Sequence, residues 1–508
     1  MRREMNAGSA GPSQPIRRVL VVGGGIVAWS AAAAFKRRLP WLDLAILPHP
    51  VAANALADTM VPTLPSILGF HADLGISDAD AVVRTGSGLR LGTLFSGWAA
   101  APGDYVHAYG AHGKPFGATS FHLQWTRLAA AGVAAPFDRH APAAALARAG
   151  RLAPAGATLD GLFDDHDSGL QLDLVKYRAM LQAFAQHCGV RVHAGGFAAV
   201  ERRTDGFIDH VALDDGTTHA ADLFVDATGP EAVLCNPDDG AWEDWSHSLL
   251  CDRVLHVEGP AAATMALHDT VTATAAGWAW QAASVARATY GLCYASAFCG
   301  DATAAAQLRT MSGLDAVAPP TRFAAGTRRT PWQRNCVAIG DAATTIEPLE
   351  WSNLHLAHSA IDRILAMLPG TDCAPVELSE YNRQAYAEAI RVRDFVLLHY
   401  VAARRSEPFW RAAAAIPLPP TLAHTLGLFR ERGRLPVYEE ETFSRDSWLA
   451  VLFGQGELPV RIDPLVEVMP VAQVAQAMAD MRGAIDSALS DFPTYAAYRA
   501  AQSRYVAL

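Results

Sequence analysis

The segment from Arg17 to Arg38 constrains the fold more than any other part of the sequence. It reads RRVLVVGGGIVAWSAAAAFKRR: a short apolar run, three consecutive glycines, and an alanine-rich stretch that ends in cations. The apolar run predicts a buried strand, glycine permits a tight turn, and terminal cations are typical of the end of a helix. The next run, WLDLAIL, predicts a second, parallel strand. The segment therefore predicts a βαβ unit and an α/β fold.

The glycine turn also fits a dinucleotide-binding fingerprint, G-x-G-x-x-G/A. Gly23 would make the tight turn, Gly25 would admit a pyrophosphate, and Ala28 would let the helix approach the strand. The helix N-terminus would then face the phosphates. The end of the second strand usually carries an acid that binds the ribose, but here it carries Pro48 and His49.

Two later segments repeat the pattern of an apolar strand that runs into a turn. They are ADLFVDATGP, with the turn Asp226 to Gly229, and RNCVAIGDAA, with the turn Gly340-Asp341. A late turn favours FAD over NAD, because the ribityl chain extends across the sheet and needs a distant acceptor for its hydroxyls. The predicted cofactor-binding residues are Gly23, Gly25, Ala28, Gly229, Gly340 and Asp341.

The remaining patterns complete the predicted architecture. The alternating segment FIDHVALDD predicts antiparallel strands of another sheet, and the periodicity becomes helical beyond about Pro375. We predict a glutathione-reductase-type FAD-binding (Rossmann-like) α/β fold with a second mixed or antiparallel sheet and a helical C-terminal layer. The predicted division is a flexible N-terminus (1–15), an FAD-binding body with an interleaved substrate sheet (16–375) and a mainly helical region (376–508).

Composition narrows the function classes. The chain has 508 residues and a net charge of −10, which argues against nucleic acid as a partner. The first fifteen residues lack an apolar signal region, and the apolar run after Val19 is too short and glycine-rich to span a membrane. Seven cysteines without a C-x-x-C pair predict reduced thiols, a cytoplasmic location and no metal site. His355 and His358 are attributed to packing.

One segment gives a more specific indication. TIEPLEWSNL stands directly after the Gly340-Asp341 turn and resembles the E-P-L-E-S-T-G-I signature of flavin-dependent tryptophan halogenases. The segments GGGIVAW, ADTMVPTLPSILGF, WSHSLLCDR, GWAWQAA and VRDFVLLHY also resemble family segments. The resemblance implies an enzyme that uses reduced FAD and O2 to halogenate an aromatic substrate, indole-like, tryptophan or a derivative. With one nucleotide fingerprint, reduced FAD is expected from a separate NAD(P)H-dependent flavin reductase.

The resemblance also implies catalytic residues. Glu350 matches the family glutamate that helps to activate the halogenating species, although a helix cap is the plainer alternative. Arg90 stands where the family has a catalytic lysine. Arginine cannot become a neutral amine, so a lysine-type haloamine is excluded, and Arg90 would either orient an oxidant or pair with a surface acid. Glu347 is expected to cap the following helix.

Further residues correspond to the halide and substrate sites. Ser352 and Asn353 replace part of the family's S-T-G halide site, and Asn353 is expected to tolerate a positive φ there. Trp351 is new at its position and either fills core volume or narrows the site.

For the aromatic substrate, His107 and Tyr109 in VHAYG resemble a family pair that sandwiches an indole. Trp278 and Trp280 keep the family's two tryptophans, whereas the following Ile and Pro are replaced by alanine. Two alternatives stay open on the same scaffold: a monooxygenase of aromatic compounds, and a flavin-binding protein without turnover. Assembly as a homodimer is also left open.

Overall fold

The computed structural model describes residues 13–99, 103–153, 163, 166–235, 242–261, 265–315 and 318–506. Most of the predicted flexible N-terminus (1–15) lies outside these residues. The strands are β1 (Arg18–Val22), β2 (Asp43–Leu47), β3 (Gly88–Arg90), β4 (Gly92–Ser96), β5 (Tyr105–Ala108), β6 (Gly169–Gln171), β7 (Arg191–Val192), β8 (Phe197–Arg202), β9 (Ile208–Leu213), β10 (Thr218–His219), β11 (Leu223–Asp226), β12 (Trp242–Asp244), β13 (Arg253–Pro260), β14 (Asp269–Thr274), β15 (Gly277–Ala283), β16 (Arg287–Tyr294), β17 (Thr321–Arg322), β18 (Gly326–Arg328), β19 (Trp332–Gln333), β20 (Cys336–Ala338) and β21 (Thr344–Thr345).

The helices follow the same chain order. They are α1 (Ile26–Arg38), α2 (Leu56–Thr59), α3 (Ser66–Leu74), α4 (Asp78–Thr85), α5 (Phe121–Ala130), α6 (Pro142–Ala149), α7 (Leu174–His187), α8 (Asp301–Ser312), α9 (Asn353–Ala366), α10 (Pro375–Ala402), α11 (Pro408–Ala414), α12 (Pro420–Arg432), α13 (Arg445–Gly454), α14 (Val471–Asp491) and α15 (Tyr495–Val506). Among the described helices, none combines the length and the apolar character that crossing a membrane requires.

The nucleotide-binding sheet has six strands in the order β19-β20-β11-β1-β2-β7. Strand β1 pairs in parallel with both β2 and β11, and β11 pairs in parallel with β20. Val22, Asp226 and Ala338 stand in register at the carboxyl ends of three adjacent inner strands, β1, β11 and β20. Ligands of open α/β sheets bind at this edge. Helix α1 covers the sheet, and its first ten residues are buried, which explains its small, apolar composition.

The second large sheet has seven strands in the order β17-β13-β16-β15-β14-β4-β5. It is mixed, because β14 and β4 are parallel whereas β13, β15 and β16 pair antiparallel with their neighbours. The segment predicted as antiparallel forms β9, which pairs with β8 and β10 in a small separate sheet. Two further small sheets join β12, β18 and β21, and β3 with β6. The predicted fold class is confirmed.

Helices dominate the last third of the chain. Helix α9 begins at Asn353, soon after the Gly340-Asp341 turn, and the long helix α10 begins at Pro375, where the sequence predicted a change to helical periodicity. Much of α10 is buried, including Arg391 to Tyr400, so the helical region packs tightly on the α/β body. The division into domains at residue 375 stays a prediction.

Candidate active site

The three glycine turns meet at one edge of the six-stranded sheet. A Cβ on Gly23 (φ 150°) would lie 2.4 Å from the carbonyl oxygen of Ala227, and a Cβ on Gly340 (φ 61°) would lie 3.1 Å from Val27. Gly229 also has a positive φ, 78°. The first two positions require glycine because a neighbouring turn or helix occupies the space of a side chain. The turns predicted to hold a flavin are therefore in contact.

The two other fingerprint positions have tightly packed surroundings. Ala28 is fully buried, and its Cβ would lie 2.9 Å from a Cβ on Gly23, so only a small residue fits. A Cβ on Gly25 would fall within 2.2 Å of the Asp58 carboxylate, which accepts a hydrogen bond from Val27 N at 2.9 Å. Sequence reasoning missed Asp58. Its position shows that the N-terminus of α1 accepts an acidic group, as it would a phosphate.

Asp341 provides the acceptor that the second half of a flavin needs. Its Oδ2 accepts a hydrogen bond from Ala57 N at 2.7 Å, whereas its buried Oδ1 has no hydrogen-bond partner among the described residues. Burial raises the pKa of the Asp341 carboxyl to about 8. An unpartnered buried acceptor beside the glycine turns fits a ribityl hydroxyl, so the residues present fit FAD.

The end of β2 lacks the acid that usually binds the ribose, but an acid from another segment lies close to it. His49 Nε2 lies 3.2 Å from the Glu231 carboxylate, which comes from the turn after β11. Glu231 is mostly exposed, with 57% of its side chain accessible. An acid therefore does reach the end of β2, but it comes from a different strand.

Glu350 is fully buried and lies between two histidines. Both of its carboxylate oxygens are within 2.9 Å of His107 Nδ1, and its Oε1 lies 3.0 Å from His399 Nε2. Burial raises the pKa of the Glu350 carboxyl, but the neighbouring His107 and His399 imidazoles outweigh it and bring the pKa to about 2. Glu350 is therefore an ionised buried carboxylate. His399, on α10, was missed because its only signal was a histidine inside a helical pattern.

The backbone around Glu350 is unusual. Glu350 (φ 67°) and Trp351 (φ 60°) are consecutive non-glycine residues in the left-handed region. Such residues are costly, and they persist where surrounding contacts hold them, often at functional sites. The tolerance of asparagine for a positive φ is not used at Asn353, which is the first residue of α9 and follows Ser352 with a φ of −80°.

Arg90 is fully buried and engaged through all three guanidinium nitrogens. Nε donates to Asp269 Oδ1 at 2.6 Å, Nη1 donates to Thr63 O at 2.6 Å and to the Tyr109 hydroxyl, and Nη2 donates to Thr93 Oγ1 at 2.7 Å. The predicted alternative of a surface acid was wrong, since Asp269 is also fully buried. Arg90 thus has a structural network that fixes its orientation.

Trp351 belongs to the same network. Its Nε1 donates to Asp269 Oδ2 at 2.7 Å, and its ring packs edge-on against Trp278 and Trp280, with ring centroids 6.2 Å and 5.9 Å away. All three indoles are buried. Trp351 therefore fills core volume, as expected, and in addition binds the partner of Arg90.

Glu347 occupies a separate buried pocket. The Tyr400 hydroxyl donates to its Oε1 at 2.5 Å, and its Oε2 has no hydrogen-bond partner among the described residues. Burial raises the pKa of the Glu347 carboxyl to about 7. Its carboxylate and the thiols of Cys251 and Cys293 lie within 4.8 Å of one another. The expectation that Glu347 caps the next helix was wrong, because no side chain caps α9.

The residues predicted for a halide lie directly after the left-handed turn. Ser352 is fully buried, and its hydroxyl has no hydrogen-bond partner among the described residues. Asn353 Nδ2 donates to Ile346 O at 2.8 Å, which leaves its Oδ1 without a partner in the described chain. A buried, unpaired hydroxyl is able to donate to an anion.

Tyr109 also lines an open cleft, whose empty space is about 520 Å³ including the solvent at its mouth. Tyr109 and Phe443 line it, and both pack near His107, with ring centroids 5.8 Å and 6.4 Å away. Of the four residues predicted for the substrate, only Tyr109 lines this cleft. His107 instead holds Glu350, and Trp278 and Trp280 are in the core around Trp351.

The two histidines attributed to packing have ordinary partners. His355 Nδ1 lies 2.7 Å from Ser66 Oγ, and the His358 ring stacks on Phe70 with centroids 3.8 Å apart. The absence of a metal site stays a prediction.

Three converging glycine turns on a parallel sheet, with a buried acceptor at Asp341, define a glutathione-reductase-type flavoprotein. Comparison with known proteins gives the family. Residues 18–471 match the model of the tryptophan halogenase family. The chain belongs to this family, and the resemblance predicted from its sequence is confirmed. The family is flavin-dependent, which implies FAD as the cofactor.

Individual relatives align along nearly the whole chain. BrvH, a flavin-dependent halogenase from Brevundimonas sp. BAL3, is 33% identical with a TM-score of 0.89, covering 96% of this chain and 99% of BrvH. Xcc4156, a flavin-dependent halogenase from Xanthomonas campestris, is 31% identical with a TM-score of 0.88, covering 96% and 98%. The tryptophan 7-halogenase RebH from Lentzea aerocolonigenes is 25% identical over 93% of this chain and 95% of RebH.

Proposed function

We propose that this chain is an FAD-dependent enzyme that uses reduced flavin and O2 to halogenate an aromatic, indole-like substrate. The observation that carries the proposal is Glu350, an ionised and fully buried carboxylate. It lies ten residues after the Gly340 turn and behind the aromatic wall of a cleft. A carboxylate held in this way is suited to hydrogen-bond a halogenating species or to accept the proton that an aromatic ring loses on substitution.

The chain's own residues have distinct parts in this proposal. Gly23, Gly25, Ala28, Gly229, Gly340 and Asp341 would hold FAD, which in its reduced form supplies, together with O2, the oxidising equivalents for a halide. Ser352 would donate its unpaired hydroxyl to the halide ion, and Asn353 would contribute the second hydrogen of its side-chain Nδ2. His107 and His399 keep Glu350 ionised and oriented.

Arg90 is proposed as a positioning residue rather than as a direct donor to an oxidant. Its donors are already used by Asp269, Tyr109 and Thr93. Through these bonds it fixes the ring of Tyr109 against the cleft, and through Asp269 it fixes Trp351 beside Glu350. This role does not need the neutral amine that a lysine can supply.

The partners and the compartment are proposed as follows. Reduced FAD would come from a separate NAD(P)H-dependent flavin reductase, because the sequence has one nucleotide fingerprint. A cytoplasmic location is favoured by the cysteines, since all seven are free thiols in the described chain. A homodimer remains open to measurement of the mass in solution.

The function is tested by turnover with a flavin reductase, NADH, FAD, O2 and indole, with and without bromide or chloride, and with products read by mass spectrometry. We expect a halogenated indole that depends on the halide and is lost in Glu350→Gln. Glu347→Gln is the matched control, three residues away and equally buried. A product that gains one oxygen atom regardless of halide would identify a monooxygenase instead, and failure to bind FAD would identify a protein without turnover.

A further inference from the structure

The cleft beside Tyr109 is a small depression that is open to solvent. The space within it that a water molecule can enter is about 160 Å³. Tyr109 and Phe443 provide aromatic walls, and Leu64 and Pro65 add apolar surface. His107 packs near both aromatic walls and binds Glu350, so one side chain separates the walls of the cleft from the ionised carboxylate.

The polar lining of the cleft has a consistent chemistry. Ser66, Thr442, Ser444 and Ser447 contribute hydroxyls, and Asp167 contributes an exposed carboxylate. Among the described lining residues there is no lysine or arginine.

His355 also lines the cleft, and both of its ring nitrogens already have partners. His355 Nδ1 lies 2.7 Å from Ser66 Oγ, and Nε2 lies 3.2 Å from Thr442 Oγ1 and 3.3 Å from Glu388 Oε1. Glu388 also pairs with Arg363 Nη2 at 2.9 Å, so His355 belongs to a network of side chains that is already engaged. Neither ring nitrogen of His355 is left as a free donor to a ligand.

Two further sources of positive potential near the cleft already have acidic or capping partners. The N-terminus of α13 borders the cleft through Ser444 and Ser447, and such an end attracts anions. Ser444 caps it by accepting a hydrogen bond from Ser447 N at 3.2 Å, and Asp446 already places an acid in its first turn. The nearby Arg90 is neutralised by Asp269.

We infer that the substrate of this cleft is an aromatic compound without a free carboxylate, and that an ammonium side chain is preferred over an uncharged one. The inference rests on the proposed function and narrows its substrate class. A carboxylate entering the cleft would lose water without gaining a cation and would face Asp167, whereas an ammonium group gains both hydroxyl acceptors and a carboxylate. Tryptophan itself is therefore predicted to be a poor ligand.

The test compares four ligands that share one ring: indole, tryptamine, tryptophan and indole-3-propionate. Their affinities for the FAD-loaded protein are measured by calorimetry at neutral pH and low salt. We expect tryptamine to bind a few-fold more tightly than indole, and the two carboxylates to bind at least about tenfold more weakly than indole. Either carboxylate binding as tightly as indole, or no binding by any of the four, would overturn the inference.

Two variants locate the effect. Asp167→Asn should remove the preference for tryptamine, a few-fold change that also shrinks with added salt, while indole binding stays the same. Asp209→Asn, an exposed acid on the separate small sheet, is the matched control and should change nothing. Ser447→Arg should improve binding of indole-3-propionate; if neither Asp167→Asn nor Ser447→Arg alters the ranking, the cleft is not the binding site.

Binding and turnover separate the two proposals. If the affinity ranking holds but no ligand is halogenated, the substrate inference stands and the proposed function fails. If tryptophan binds best and is halogenated, the function stands and the inference fails.

Discussion

Glu347 and Glu350 are three residues apart and both fully buried, and their pKa values are shifted in opposite directions. The surroundings of Glu347 are a tyrosine hydroxyl and two thiols, groups that are neutral, and burial raises its pKa to about 7. Glu350 is equally buried, but His107 and His399 bring its pKa to about 2. Desolvation acts on both residues, and only the partners differ.

Two carboxylates so close in the sequence reach different pockets because the backbone between them turns sharply. The left-handed backbone at Glu350 and Trp351 sends the second acid into the histidine pocket, whereas the first remains beside Tyr400. The pKa of Glu347 is raised and that of Glu350 is lowered, so Glu350 is the acid that stays charged across neutral pH and is available to accept a proton.

The two acids should also give opposite pH dependences of folding. Glu350 contributes stability that is present above its unfolded pKa of about 4.5 and is lost as the pH falls toward about 2. Glu347 contributes stability that is present below about 4.5 and is lost as the pH rises toward about 7.

Glu350→Gln should have the largest effect, because the amide keeps the shape but cannot accept a proton. Product formation should fall by about 100-fold or more, within the range for loss of a general base. Oxidation of reduced FAD by O2 should continue at the wild-type rate, since Glu350 is not among the residues proposed to hold the cofactor. Stopped-flow absorbance and product mass spectrometry measure the two steps. A product yield within a few-fold of wild type would remove Glu350 from the reaction.

His107→Leu should have the next largest effect, because it leaves Glu350 with one imidazole partner. Removing a partner of a buried carboxylate leaves a buried charge less compensated, which costs about 3 kcal/mol or more of unfolding free energy, measurable by urea denaturation. The pKa of Glu350 should rise, so product formation should fall about tenfold and decline further as the pH is lowered.

The control for this variant is His122→Leu. His122 is a buried histidine whose Nε2 contacts a backbone carbonyl, Gly433 O, at 3.0 Å and no carboxylate. The loss of this hydrogen bond in His122→Leu should lower the unfolding free energy by about 1 kcal/mol. Both variants also replace an imidazole by leucine, so they share the change in packing. Equal destabilisation by His107→Leu and His122→Leu would mean that Glu350 is not held as an anion.

Trp351→Phe should have a smaller effect on product formation than the changes at Glu350 and His107. It keeps the aromatic packing on Trp278 and Trp280 but removes the hydrogen bond to Asp269, which costs about 2 kcal/mol for a bond to a buried charge. Glu350 should stay ionised, so product formation should fall only a few-fold. A loss as large as that of Glu350→Gln would show that Trp351 itself contacts the reacting species.

Much of the fold was predictable because its signals are local. A strand, a glycine turn and a helix in sequence at Arg17 to Arg38 leave few alternatives, and the repeated strand-to-turn pattern located the two other turns. The C-terminal helices followed from periodicity alone. The ends of these strands and helices depend on residues that are close to them in the sequence.

The site was less predictable because its contacts join distant segments. Arg90 and Asp269 are 179 residues apart, and Glu350 meets His107 across 243 residues. Nothing in the sequence pairs these residues, so the partner of Arg90 was misassigned to the surface and His399 was missed. From residue preference, Asn353 was the residue expected to tolerate a left-handed φ. In the structure, tertiary contacts impose this φ on Glu350 and Trp351 instead.

Glu347→Gln should have the smallest effect on product formation, within about twofold, because the wild-type side chain is already neutral below pH 7 and the amide oxygen still accepts from Tyr400. Its effect appears instead in the pH dependence of folding. The wild-type protein loses stability from about pH 4.5 to 7 as the unfolded state ionises and the native state keeps its proton, and the variant should lose less. Urea titrations at intervals across this range measure the difference in slope. An unchanged slope, or a loss of product comparable with Glu350→Gln, would show that the two acids are not divided into one neutral and one charged partner.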